Sequence, residues 1–88
     1  MPPQTPNDPH ALALAALAAT LTDERRAQRF LDVTGIGTDE LRQRAGETSL
    51  LAGVLAFLEA HEPDLLSVSE QVGVAPERLV RAREALES

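Results

Sequence analysis

An all-α single domain of five or six short helices is expected, on three observations. Leu and Ala supply 14 residues each of the 88, against one Ile and two Phe. That composition favours helix and is poor in the β-branched and aromatic residues that strands prefer. Helix-start and helix-stop residues recur at intervals of one short helix. Apart from the Ala-Leu run near the N-terminus, no segment alternates apolar and polar residues with period two for more than a few positions, and in that run the length and the alanines favour helix. A chain of this size buries roughly 60–65% of the surface its unfolded form exposes, enough for one modest core.

Residues 1–9 hold four prolines and no positive charge, which reads as a flexible Pro-rich tail rather than a targeting peptide. The helical domain is then residues 10–88. Asp8-Pro9 is an N-cap followed by proline at the first helical position, so a first helix runs from about His10 to Leu21. Thr22 is the next expected cap, with Asp23 and Glu24 in the first turn where the helix dipole favours acids. That second helix stops at Gly35, a glycine suited to the left-handed conformation. Thr38-Asp39-Glu40 opens a short third helix, closed by Gly46. Thr48 is expected to cap a fourth, over about Ser49–His61, which must stop near His61 because Glu62 precedes Pro63. Pro63 opens a fifth helix, ended by Gly73, and Pro76 opens a sixth that runs to about Glu87.

The fourth helix is the expected centre. Leu50, Leu51, Val54, Leu55, Phe57 and Leu58 cover a broad arc, while Ala52, Gly53, Ala56 and Ala60 make the opposite side small. Neighbouring helices are therefore expected on both sides, with a close approach at Gly53.

Composition excludes several function classes. Cysteine is absent, which removes disulfides, thiolate nucleophiles and thiolate metal sites. Lys, Trp and Tyr are absent too, removing Schiff-base chemistry, the P-loop lysine and most base-stacking platforms. Fourteen acids against eight arginines leave a net charge of −6, which works against general attraction to nucleic acid or anionic membrane. The longest run free of charged residues, Pro9–Thr22, is 14 residues, short of the roughly 20 that span a bilayer. A soluble, cytoplasmic protein is expected.

A candidate helix-turn-helix runs from Val68 to Ala82, with Val68, Val72, Gly73, Val74 and Leu79 at packing positions. Its second helix carries Arg78, Arg81 and Arg83 but also Glu77, Glu84 and Glu87. Glu77–Arg81 and Arg83–Glu87 are spaced to pair along the helix, so nucleic acid is not the favoured partner. His61-Glu62-x-Asp64 is broken by Pro63 as a ligand cluster, and His61 fits better as a last-turn histidine facing helix-terminal carbonyls. His10 is expected at the surface. Ser49, Ser67 and Ser69 have no histidine placed to activate them. No catalytic, cofactor or metal residues are assigned.

What remains is a small acidic helical interaction module. Its expected contact face is on the first helix. Leu14, Leu17 and Leu21 with His10 form a stripe for the core, leaving Leu12, Ala15, Ala16 and Ala19 as a small, uncharged face for a homodimer or an unknown protein partner.

Two resemblances add to this reading. Gly35-Ile36-Gly37-Thr38-Asp39-Glu40 resembles the calcium loop of annexin repeats, which would imply Ca²⁺ held by loop carbonyls and a distal carboxylate at Glu77. The basic residue that usually precedes that loop is missing, and the helix from Thr38 to Ala45 is shorter than its annexin counterpart. Across Leu12–Leu86, the series Arg29-Phe30-Leu31, Thr34-Gly35-Ile36, Leu41-Arg42-Gln43-Arg44-Ala45, Val54-Leu55-Ala56-Phe57-Leu58 and Glu62-Pro63-Asp64-Leu65-Leu66 resembles the small bacterial domain-of-unknown-function family DUF3572. That resemblance implies a compact helical fold and no assigned activity.

Overall fold

The computed structural model describes residues 8–88 as six helices. They are α1 (Pro9–Thr20), α2 (Glu24–Thr34), α3 (Thr38–Arg44), α4 (Thr48–Glu59), α5 (Glu62–Val72) and α6 (Pro76–Glu87). Among the described residues there is no strand. Of the expected tail, Asp8 and Pro9 belong to α1 as its cap and first residue, and residues 1–7 lie outside the described residues.

Local chemistry sets most of the boundaries. The Asp8 side chain accepts a hydrogen bond from the His10 amide, and Pro9 loses nothing at a position whose N–H has no helical acceptor. Gly35 and Gly73 end α2 and α5 at φ 72° and 87°, the left-handed region where a Cβ is penalised. Two caps differ from expectation. Asp23, not Thr22, caps α2, accepting from the Arg26 amide at 3.0 Å, because a carboxylate at that position reaches the third amide of the helix. The Thr22 hydroxyl donates back to the Ala19 carbonyl at 2.7 Å instead. Thr48 is the first residue of α4 and Glu47 its N-cap, with no side-chain cap bond.

The core forms where α1, α4, α5 and α6 pack on one another, with α4–α6, α1–α6 and α1–α4 the most extensive pairs. Leu50, Leu51, Val54, Leu55, Phe57 and Leu58 of α4 are all buried, as their arc predicts. Val68, Leu79 and Ala82 meet them from α5 and α6, and Phe30 of α2 stands edge-on to Phe57 at a centroid distance of 5.3 Å. The close approach expected at Gly53 does not occur. A Cβ there would meet nothing within 4 Å, and Gly53, Ala56 and Ala60 face solvent.

The first helix is rotated from its expected orientation. Leu12, Ala13, Ala16, Leu17, Ala19 and Thr20 are buried, while Leu14 and Leu21 are 38% and 40% exposed. The small residues went inward because three other helices crowd α1, and alanine permits the closest approach of backbones.

One buried charge ties α2 to this core. Arg26 is 6% exposed and, among the described residues, makes no ion pair. Its guanidinium donates from Nη2 to the Ala19 carbonyl at 2.6 Å and from Nε to the Thr20 carbonyl at 3.3 Å. It thus sits at the negative end of the α1 dipole, bonding the Thr20 carbonyl and adding a further donor to the Ala19 carbonyl, which the Thr22 amide and hydroxyl also reach. Arg29 pairs with Asp64 on α5, and Gln71 donates to the Thr22 hydroxyl at 3.1 Å, so polar contacts fasten α2 and the α1–α2 turn to α5.

Candidate interaction groove

The expected contact face is not a surface. Leu12, Ala16 and Ala19 are core residues and Ala15 is half-buried, so that assignment is corrected by the rotation of α1. What α1 and its C-cap expose is Leu14, Ala18 and Leu21, spaced i, i+4, i+7 and therefore one stripe along the helix. His10, expected at the surface, is half-buried and donates from Nε2 to the Gly46 carbonyl at 2.8 Å, tying the start of α1 to the α3–α4 turn.

The Leu14–Leu21 stripe runs into a groove among α1, α2 and α3. Its volume is about 320 Å³, and it is lined by Leu17, Leu21, Ala27, Leu31, Leu41 and Ala45, with Thr38 and Arg42 as its polar members. Each helix contributes by its own period: Leu17 and the C-cap Leu21 from α1, Ala27 and Leu31 from α2, Leu41 and the C-cap Ala45 from α3, all pairs at i, i+4. Leu17 and Leu41 are buried and form the floor, while Ala27, Leu31 and Ala45 are half-buried along the sides. The walls are almost entirely apolar. Arg42 is exposed and, among the described residues, makes no ion pair. Its neighbour Arg44 by contrast meets Glu47 at 2.8 Å and Glu40 at 3.1 Å. Those two acids, Glu47 first, hold the Arg44 guanidinium still more firmly in its charged form.

Other depressions are less apolar. One of about 510 Å³ is lined by Thr48, Ser49, Ala52, Gly53, Ala56, Leu86 and Glu87. Another, of about 360 Å³, lies between the start of α1 and α6, with Arg78 and Arg81 on its wall.

The remaining sequence candidates fall as follows. In the helix-turn-helix segment, Val68, Leu79 and Ala82 are buried and Val72 and Val74 half-buried. Of its arginines, Arg83 is held by Glu59 of α4 and by Glu87 at 2.5 Å. Glu59, the larger influence, raises the Arg83 pKa above the usual guanidinium value. Glu77 and Arg81, spaced to pair, form no ion pair among the described residues. In the glycine loop, the Gly37 carbonyl already accepts from the Leu41 amide at 2.9 Å, closing the first turn of α3. Among the described residues no three or more His, Asp and Glu side chains gather as a ligand set. His61 is the N-cap of α5, not a last-turn residue of α4, since Pro63 forces a new helix start. Its Nδ1 lies 3.8 Å from Asp64. Ser67 accepts from Arg26 and Ser69 donates to the Leu66 carbonyl. Among the described residues neither histidine is hydrogen-bonded to a serine.

No described helix is long and apolar enough to cross a membrane. A profile of one family, described as protein of unknown function (DUF3572), matches residues 6–88. No curated protein and no solved structure matches the chain.

Proposed function

Since the chain belongs to the DUF3572 family of proteins of unknown function, its role has to be read from its own surface, and we propose a small, acidic, cytoplasmic protein-interaction module without catalytic activity. The observation that carries this reading is the apolar groove among α1, α2 and α3, continuous with the exposed Leu14–Leu21 stripe. Scattered exposed leucines are ordinary, but an apolar concavity extended by an apolar helix face is the kind of surface that another protein covers. Filling it removes apolar area from water at about 25 cal/mol per Å². The groove offers Thr38 and Arg42 as its polar groups, too few to orient a reacting substrate.

The test is capture from a lysate of the source organism with wild-type and Leu21→Glu baits. Leu21 is 40% exposed, so the variant is expected to keep its helical circular dichroism. Proteins retained by the wild type and lost with Leu21→Glu support the reading. The same set retained on both baits sinks it.

A further inference from the structure

The groove is apolar with one cationic side chain at its edge, and the same chain displays a surface of the matching kind. On α5, Leu66 is 48% exposed and lies midway between Glu62 and Glu70, at i−4 and i+4, so the three form one row on the helix surface. Helix α5 contains no basic residue. Its third acid, Asp64, is taken by Arg29 of α2. Glu62 and Glu70 are exposed and, among the described residues, make no ion pair. The row therefore presents one bulky apolar side chain flanked by two uncompensated negative charges. The groove presents the converse: apolar walls beside one uncompensated positive charge, Arg42.

We propose that the groove among α1, α2 and α3 receives the Glu62–Leu66–Glu70 row of α5 from a second copy of this chain. This rests on the reading of the groove as a protein-docking surface and names its partner. Leu66 would supply the apolar contact, and Arg42 would meet a glutamate at the rim. The charges fix register and exclude wrong partners more than they add affinity, as rim ion pairs generally do. The groove and the row are different patches of one molecule, so two copies that exchange rows close into an isologous dimer, whereas one-way contacts are heterologous and build a ring or an open chain.

The test uses the full chain in sedimentation equilibrium from micromolar to millimolar concentration. Association that strengthens with concentration is expected, weakened about tenfold or more by Leu66→Glu, a change at an exposed position. Ala27→Glu, which places a charge in the groove, should abolish it as well. A mixture of the Leu66→Glu and Ala27→Glu chains has one intact groove and one intact row, so it should associate more strongly than either chain does alone. Arg42→Glu, an exposed change that leaves the core untouched, should weaken association several-fold. Mixing it with a Glu62→Arg/Glu70→Arg chain should recover the loss. A chain that stays monomeric throughout, association that survives Leu66→Glu, or failure of the two mixtures overturns the proposal. Should the chain be monomeric while groove variants still lose a different captured protein, the docking reading stands and the second copy is the wrong occupant.

Discussion

Arg26 is the residue on which the most polar structure converges. It looks like a surface residue in the run Asp23-Glu24-Arg25-Arg26, yet it is buried and bonded to the α1 terminus through Ala19 and Thr20. Replacing it strips the Thr20 carbonyl of its side-chain donor and leaves the Ala19 carbonyl to Thr22 alone, so Arg26→Met should lose about 1.5–3 kcal/mol in urea unfolding. Arg26→Lys should recover little, because a single ammonium cannot reproduce the planar fork that spans two carbonyls. A Lys variant as stable as wild type would show that charge alone suffices at this helix end. The signal in the sequence was faint but present: Arg26 precedes Phe30 by four residues and so shares its buried face. Asp23 acts on the same residue from the backbone side. The hydrogen bond it accepts from the Arg26 amide, opposed by some desolvation and helped by the Arg26 charge, holds its carboxyl below 3.8. A carboxyl lowered in the folded state contributes stability above its unfolded pKa and loses it as pH falls through the folded one. The melting temperature should therefore fall from about pH 4 downward, and Asp23→Asn, which keeps a cap acceptor without a titrating charge, should flatten that acid limb. Parallel curves for the two proteins would remove Asp23 from the account.

Helix boundaries were legible because capping is local chemistry. Pro9, Gly35, Gly73 and Pro76 each act within a few residues of themselves, and the structure places all four at helix ends. Helix orientation was legible only where one arc is large and another is not. In α4 the bulky arc is buried as expected. In α1, Leu alternates with Ala around the whole circumference, so no face outweighs another, and contacts with α4, α5 and α6 decide the rotation. The groove was missed for the same reason: it needs Leu21, Leu31 and Leu41 from three helices, and their meeting is a property of packing rather than of any one period. Gly53 carries a prediction of its own. With open space around it, Gly53 has only the helix penalty of glycine and no packing role, so Gly53→Ala should stabilise the protein by about 0.5–1 kcal/mol. Gly73→Ala should destabilise it by about 1–2 kcal/mol, because its φ of 87° lies where a Cβ is strained. A destabilising Gly53→Ala in thermal melts would mean that something does approach α4 there.

For the whole molecule, the question is how α2 and α3 hold to the rest, since the extensive helix pairs are those among α1, α4, α5 and α6. The radius of gyration, 12.0 Å, is that of one packed body of this length, so α2 and α3 are not splayed away. Their apolar attachment concentrates in two buried side chains, Leu41 of α3 and Phe30 of α2, the latter edge-on to Phe57. Phe57 also belongs to the α4 core, so its loss weakens everything. Phe30→Ala removes chiefly the anchor of one helix. Both substitutions should cost about 3–5 kcal/mol, a large share of what a small domain has, but they should differ in kind. Phe57→Ala should lower amide protection throughout the molecule. Phe30→Ala should lower it first in α2 and α3 while α4 and α6 keep theirs, because local opening follows the elements with fewest remaining buried contacts. The Phe30/Phe57 double-mutant cycle should return a coupling of about 0.5–1.5 kcal/mol for the edge-to-face pair. Uniform loss of protection in Phe30→Ala would show instead that α2 and α3 fold and unfold as one unit with the core, and that the groove cannot open without global unfolding.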